Sequence, residues 1–146
     1  MITDKREDIL KYIPQRPPMV MIHRLKEASV TLAVTLFDIE ADNLFVEAGF
    51  LQESGLIENI AQTGAAMTGY HAIANQTEVK LGFIGAVKRL KIHSKPAVGQ
   101  TIETHVKVTH EVFDYKVIKG EVYHQQQLMA ECEMNIFIQP DEASMK

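Results

Sequence analysis

The chain has 146 residues, of which 46% are apolar and 23% are charged, and its formal net charge is −4. This length and composition are typical of one globular domain and exclude the disordered and collagen-like classes. The acidic balance argues against general affinity for nucleic acid or an anionic membrane, because both require a basic surface.

Two features predict a cytoplasmic protein. The only cysteine is Cys132, so no intrachain disulfide can form, which fits a reducing compartment. The N-terminal stretch is charged from its fourth residue and holds no apolar run long enough for a signal peptide or a membrane span. We therefore expect no membrane association.

The N-terminal third predicts a short helix followed by two strands. Ile9 and Ile13 lie on one side of the helix, which Pro14 ends. Residues 19–27 and 29–37 are rich in β-branched and other apolar side chains, which is typical of strands.

A long central helix is predicted from Ser54 to about Ala74. Apolar or small side chains recur there at intervals of three and four residues, which gives the helix one buried face. The residues of this predicted face are Leu56, Ile57, Ile60, Ala61, Gly64, Ala65 and Thr68. Small residues dominate the second half of the helix, as at Gly69, and they favour the close approach of another segment.

From residue 81 onward the sequence alternates with a period of two, as antiparallel strands with one wetted face do. Strands are predicted at 102–112, 116–124 and 128–138 in addition to the one that begins at 81. In 102–112 and 128–138 the even-numbered residues are predicted to face inward.

Together these elements predict an α+β fold, in which a curved antiparallel sheet wraps around one long helix. A single domain is expected over residues 1–139, with a frayed tail at 140–146. One curved sheet cannot cover both ends of so long an apolar helix, so we also expect a homodimer at least.

Three segments carry a family resemblance. They are IPQRPPMVMIHRL at 13–25, SGLIENIAQTGAA at 54–66, and LGFIGAVKRLKI at 81–92 with PAVGQTIE at 96–103. They resemble the 3-hydroxyacyl-acyl carrier protein dehydratases of fatty-acid synthesis and their relatives in polyene-type acyl chain assembly. The resemblance implies a hotdog fold, a substrate carried by acyl carrier protein, no cofactor, and assembly into dimers or into hexamers of three dimers.

One departure concerns the catalytic histidine of these enzymes, which lies in a loop just before the central helix. The corresponding stretch, NLFVEAGFLQE at 43–53, contains no histidine, and its nearest positional equivalent is Glu47 or Ala48. His23 replaces a family aspartate near the first segment, and Gln15 replaces a family histidine. We consider His23 and Glu47 as replacements for the missing imidazole.

Glu58 and Gln62 are the candidate catalytic residues. They are four apart and lie one above the other on the same helix face. The resemblance implies that Glu58 takes part in proton transfer and that Gln62 orients it. The alternative is a solvated helix carboxylate with an ordinary partner.

Gly55 at the start of the helix and the four residues at 82–85 are candidate substrate contacts. Gly55 would leave backbone N–H groups at the helix start free to polarise a thioester carbonyl, although an isolated glycine also marks a turn. Gly82, Phe83, Ile84 and Gly85 suggest a strand that an acyl or pantetheine chain passes closely, although glycines also ease sheet curvature.

Lys88, Arg89 and Lys91 form a basic patch in an acidic protein, with Lys95 and Arg16 as further members. Such a patch suits an acidic carrier protein, and a charged strand edge that discourages aggregation would have the same sequence.

A metal site is not predicted. The chain has six histidines, but none forms a pair with the spacing of converging metal ligands.

Three functions remain open. The first is a lyase that removes water from a 3-hydroxyacyl thioester. The second is a thioesterase that uses one helix carboxylate, and the third is a non-catalytic carrier-binding or partner subunit. The three matching segments favour the first.

Overall fold

The computed structural model describes residues 1–80 and 82–139. The predicted tail at 140–146 lies outside the described residues. The described part contains a 3₁₀ helix at Arg6–Lys11 and one long helix, α1, at Glu53–Ala74. The strands are β1 Arg24–Ala28, β2 Leu32–Asp38, β3 Val46–Glu47, β4 Phe50–Leu51, β5 Gly82–Ile92, β6 Thr101–Val112, β7 Tyr115–His124 and β8 Gln127–Ile138.

Six of these strands form one antiparallel sheet in the order β1-β2-β6-β7-β8-β5. The short strands β3 and β4 form a separate hairpin that precedes α1. The predicted α+β architecture, with an antiparallel sheet around one central helix, is therefore confirmed. β5 lies at one edge of the sheet, which becomes important for the candidate site.

The core lies between α1 and the inner face of the sheet. Leu56 and Ile60 of α1 are fully buried against side chains from β6, β7 and β8. Gly120 of β7 is required by this packing, because a Cβ there would overlap Ile60. The strand side chains of this cluster include Ile102, Val106, Ile118, Val122, Ala130, Cys132 and Met134.

A second cluster joins the N-terminal segment to the other flank of α1. Ile9, Ile13 and Ile22 are buried beside Ala66. The segment crosses α1 so closely that a Cβ on Gly69 would overlap the carbonyl oxygen of Tyr12. The predicted close approach of a backbone to the small residues of the helix is therefore confirmed.

Two predicted strand boundaries are wrong. β1 begins at Arg24 instead of residue 19, because side chains of α1 bind the backbone of Met19 and Met21. β2 begins at Leu32 instead of residue 29, because Ser29 Oγ accepts hydrogen bonds from the backbone N–H groups of Thr31 and Leu32 and extends the turn.

The predicted inward faces are only partly right. On α1, Leu56 and Ile60 are buried as predicted, but other members of the predicted buried face are only half-buried, namely Ala61, Gly64, Ala65 and Thr68. Residues outside the predicted face are buried as well, namely Asn59, Gln62, Thr63, Ala66 and Met67. On β6, the inward alternation stops at a register shift between Val108 and His110, and the strand continues into solvent.

Candidate functional site

A cavity of about 240 Å³ lies between α1 and the β5 side of the sheet. Its wall combines one carboxylate and a few other polar groups with an apolar lining from α1, β5, β7 and β8. The lining residues are Gln15, Glu58, Ala61, Gly64, Ala65, Met67, Thr68, Lys80, Gly82, Phe83, Ile84, Lys116, Ile118, Ile136 and Ile138. A mainly apolar cavity with a few convergent polar groups is the usual form of a small-molecule site.

Glu58 projects into this cavity and is held by Gln62. Gln62 Nε2 donates hydrogen bonds to Glu58 Oε1 at 2.9 Å and to the carbonyl oxygen of Met19 at 2.7 Å. Gln62 Oε1 accepts a hydrogen bond from the backbone N–H of Met21 at 2.7 Å. Because Gln62 is fully buried and bonded on both sides, it fixes the position of the carboxylate.

A buried polar network next to Glu58 on α1 was not predicted from the sequence. Asn59 Nδ2 donates to the carbonyl oxygen of Met21 at 2.8 Å, and Thr104 donates to Asn59 Oδ1. Thr63 Oγ1 donates to the carbonyl oxygen of Asn59 at 2.8 Å and lies 2.7 Å from Thr35 Oγ1. The signal for this network was the recurrence of uncharged polar residues at helical spacing, from Asn59 through Gln62 and Thr63.

Three of the predicted substrate contacts on β5 line the same cavity as Glu58, namely Gly82, Phe83 and Ile84. Gly85 and Gly55 are not among the described residues that line it. A Cβ on Gly85 would lie 2.8 Å from Phe137 Cδ2, so its lack of a side chain is explained by ring packing.

Gly55 also has a packing explanation. It lies in the first turn of α1, where a Cβ would approach Leu51 Cδ1 to 2.6 Å and Phe45 Cβ to 2.7 Å. The glycine therefore lets the β3–β4 hairpin close against the helix start.

His23 lines a different cavity, together with Arg6 and Glu40. Its Nδ1 accepts a hydrogen bond from the backbone N–H of Asp38 at 3.0 Å, and its ring stacks on Phe37 with a centroid distance of 4.6 Å. Burial, assisted by the positive charge of Arg6, lowers the pKa of His23 to about 4. His23 is thus a neutral imidazole near pH 7.

We expect His23 to make the protein less stable in mild acid. The folded chain holds the imidazole neutral down to about pH 4, whereas an unfolded chain protonates it near the ordinary pKa of 6.5. Since the unfolded state binds more protons between these values, the free energy of unfolding falls as the pH drops from 6.5 towards 4. In His23→Asn, which keeps an acceptor but does not titrate, this fall should be smaller by about 2 kcal/mol.

Denaturant unfolding of both proteins at several pH values measures the difference, and equal pH slopes would contradict it. Asp38 adds a loss of stability only at the acid end of this window, because its carboxyl in the unfolded chain titrates near 3.8, and it does so in both proteins. Burial raises the pKa of its carboxyl, but hydrogen bonds from Arg24, Thr101 and Arg6 outweigh burial and hold the pKa well below its usual range.

Glu47 lies in the β3–β4 hairpin and is exposed. The turn that follows it, Ala48 and Gly49, has positive φ angles of 53° and 85°. Glu47 borders a shallow depression with Lys95 at the helix start. Within one chain, therefore, neither Glu47 nor His23 lines the cavity that holds Glu58.

The basic patch on β5 faces carboxylates of β8. Arg89 forms an ion pair with Glu133, and Lys88 and Lys91 lie opposite Glu133 and Glu131 in the strand register. Of the two outlying members, Lys95 Nζ donates to Gln52 at 2.8 Å and Arg16 donates to backbone carbonyls of its own segment. The patch is therefore partly neutralised by its neighbours.

Residues 1–80 and 82–139 provide neither a metal site nor a membrane-spanning helix. These residues contain no group of three or more His, Cys, Asp or Glu side chains arranged to hold a metal ion. No helix among them is long and apolar enough to cross a bilayer.

Comparison with known proteins gives a family match and several matches in fold. The family model described as ApeP dehydratase, for the ApeP-like family, matches residues 7–146. No relative was found among curated protein sequences. Among solved structures, the dehydratase heterocomplex ApeI:P from Xenorhabdus doucetiae is similar with a TM-score of 0.85 and 17% identity, over 94% of this chain and 93% of that chain.

Two further solved structures share the fold with lower TM-scores. The Escherichia coli PaaI protein from the phenylacetic acid degradation operon has a TM-score of 0.64 and 13% identity, over 77% of this chain and 80% of that chain. A hypothetical thioesterase with coenzyme A from Streptococcus pneumoniae has a TM-score of 0.65 and 8% identity, over 81% of this chain and 86% of that chain. These likenesses confirm the predicted hotdog fold.

Proposed function

This chain belongs to the ApeP-like dehydratase family, and we propose that it removes water from a 3-hydroxyacyl thioester bound in the cavity beside Glu58. One observation carries the proposal: Glu58 stands in the wall of a mainly apolar cavity, and the fully buried Gln62 holds it there. A carboxylate in this position can exchange a proton with an acyl chain that the apolar lining binds.

The reaction needs two proton transfers. A base removes the proton from the carbon next to the thioester carbonyl, and the electrons of that C–H bond form the new double bond. The hydroxyl on the next carbon leaves with a proton as water. We assign Glu58 to one of these transfers, and we assign Gln62 to holding the carboxylate at a fixed angle.

A second hotdog chain would complete the site. β5 is an edge strand of 11 residues, and no described strand pairs with its outer side. Phe83 at 53% exposure and Ile84 at 38% lie on it beside the cavity. A long exposed edge with apolar side chains is a pairing surface.

We propose that a second copy or a related hotdog chain pairs there and brings its own residues, such as the equivalent of Glu47, towards Glu58. That ApeI:P is a dehydratase heterocomplex supports such a pairing. Light scattering at micromolar concentration should show a dimer or larger species, and a single mass of 16.4 kDa would contradict this.

We further propose acyl carrier protein as the partner and a cytoplasmic location, which fits the single thiol of Cys132. Lys88, Arg89 and Lys91 are the docking cations. Changing all three to Gln should slow carrier association roughly tenfold at low salt, with little effect at high salt, because the steering of an acidic partner is screened.

Stopped-flow association rates at two ionic strengths measure this effect. Lys107→Gln on β6 provides a control lysine away from β5. Unchanged association at low ionic strength would show that the cations serve only to pair with Glu131 and Glu133.

Thioester hydrolysis is the second candidate, and one observation favours it. Among the described residues that line the cavity, Glu58 is accompanied by no histidine. A single carboxylate suffices to activate water or to attack the carbonyl, whereas dehydration uses an acid and a base.

One assay separates these functions. The protein is incubated with 3-hydroxyacyl and crotonyl carrier-protein thioesters, and the products are identified by mass spectrometry. We expect loss of water from the first substrate and hydration of the second, without release of the carrier thiol. Free thiol would indicate a thioesterase, and unchanged thioesters that remain bound would indicate a binding subunit.

A further inference from the structure

Gln15 carries the one buried side-chain polar atom that has no hydrogen-bond partner in the described part of the chain, its Oε1. The side chain of Gln15 lines the same cavity as Glu58. A buried acceptor left without a donor costs about 1–3 kcal/mol. By contrast, each polar side-chain atom of the buried amides Asn59 and Gln62 has a hydrogen-bond partner.

The backbone around Gln15 is fixed, so the free acceptor is not the result of a loose segment. Arg16 Nη1 donates to the carbonyl oxygens of Ile13 at 2.8 Å and Gln15 at 2.7 Å. Ile13 is buried with 2% exposure, and Gln62 binds the carbonyl oxygen of Met19 further along. The chain therefore fixes Gln15 in the cavity wall with its Oε1 unpaired, and a bound hydrogen-bond donor would relieve the free-energy cost of that unpaired acceptor.

We propose that Gln15 Oε1 accepts a hydrogen bond from the 3-hydroxyl group of the acyl substrate and thereby selects hydroxylated over saturated acyl chains. This inference rests on the proposed function, since it concerns the same cavity. An amide oxygen only accepts, and a hydroxyl group has one hydrogen to donate and two lone pairs. When its hydrogen points to Gln15, its lone pairs remain available for the proton that converts it to water.

The selectivity follows from the cost of the unpaired acceptor. A saturated acyl chain fills the apolar part of the cavity but brings no donor to Oε1, so the acceptor stays unpaired. A site that is built to hydrogen-bond a hydroxyl group rejects the analogue that lacks it for this reason. Gln15 is therefore a specificity-determining contact to the group that leaves, distinct from the proton transfer assigned to Glu58.

The test compares the binding of two unreactive ligands by calorimetry. Both are pantetheine analogues in which an amide nitrogen replaces the thioester sulfur, one with a 3-hydroxyacyl chain and one with a saturated chain of the same length. The protein should prefer the hydroxylated ligand, and Gln15→Met should lower that preference roughly 10- to 100-fold. The loss should come from the hydroxylated ligand, while binding of the saturated ligand stays equal or improves.

Two controls keep the result interpretable. Gln127→Met makes the same change at an exposed position of β8 and should leave the preference intact. Gln15→Ala removes the acceptor without adding an apolar chain, and it should lower the preference as well if the Met variant does not fold.

Two other outcomes separate a failure of this inference from a failure of the proposed function. If Gln15→Met keeps the preference, or weakens both ligands equally, Gln15 does not contact the 3-hydroxyl group and the inference is overturned while the proposed function stands. If the unaltered protein binds neither ligand, the proposed function and this inference both fail.

Discussion

Glu58→Gln should lower turnover of a 3-hydroxyacyl carrier-protein thioester by roughly 10²- to 10⁴-fold, the usual effect of losing a general acid or base. The replacement keeps the length and shape of the side chain. Its amide oxygen can still accept the hydrogen bond that Gln62 Nε2 donates at 2.9 Å. Only the titrating group is removed, so binding and folding should survive while proton transfer is lost.

A matched control is available in the same helix. Glu53 is an exposed glutamate in the first turn of α1 and lines the depression at the helix start instead of the cavity. Glu53→Gln should leave turnover unchanged, and both variants should melt within a few degrees of the unaltered protein. A Glu58→Gln protein with full activity would remove the basis of the proposed function, since no other carboxylate among the described residues lines the cavity.

Variants of His23 and Glu47 distinguish the two candidate activities, dehydration and thioester hydrolysis. If either supplies the second proton transfer of the lyase from another chain of the assembly, His23→Asn or Glu47→Gln should also reduce turnover. A thioesterase built on Glu58 alone would tolerate both changes. Assays of mixed oligomers, in which one chain carries the Glu58 change and its partner the second change, report whether the groups act across the interface.

The elements of the fold were predictable because their signals are local. The alternation along β6 and β8 and the recurrence of small residues in α1 each depend only on neighbouring positions, and the contact between Glu58 and Gln62 follows from their spacing of four. The start of β1 was not predictable in this way. The backbone at Met19 bonds to Gln62, 43 residues further along, and an apolar stretch contains no sign of that partner.

The buried flank of α1 was missed for the same reason. Asn59, Gln62 and Thr63 are polar, so the apolar pattern assigns them to solvent, yet all three are fully buried because their partners lie on β2, β6 and the segment before β1. Within the candidate site, Glu58 and the residues of β5 that line the cavity were predicted from the family resemblance. The role of Gln15 as a wall of the cavity required the three-dimensional structure, since it depends on how the N-terminal segment crosses the helix.

Gly69→Ala should destabilise the protein by about 3 kcal/mol, although the same change in an exposed helix interior stabilises by up to about 1 kcal/mol. The added Cβ would overlap the carbonyl oxygen of Tyr12 and lie 2.7 Å from its carbonyl carbon. Backbone atoms cannot rotate away as a side chain can. The N-terminal segment would have to lift off α1, which would loosen the contacts of Ile13 and Ile22 with the helix.

Gly64→Ala is the matched control, because it makes the same change five residues earlier in the same helix. Its added Cβ would lie 3.3 Å from Ile118 Cδ1, the end of a side chain that can shift, so stability should change by less than about 1 kcal/mol. For a chain of this size, the Gly69 variant should melt roughly 6–12 °C below the unaltered protein. Differential scanning calorimetry of the three proteins measures the contrast. A Gly69→Ala protein as stable as the Gly64→Ala protein would show that the N-terminal segment does not press on the helix, and the fixed position of Gln15 in the cavity wall would lose its support.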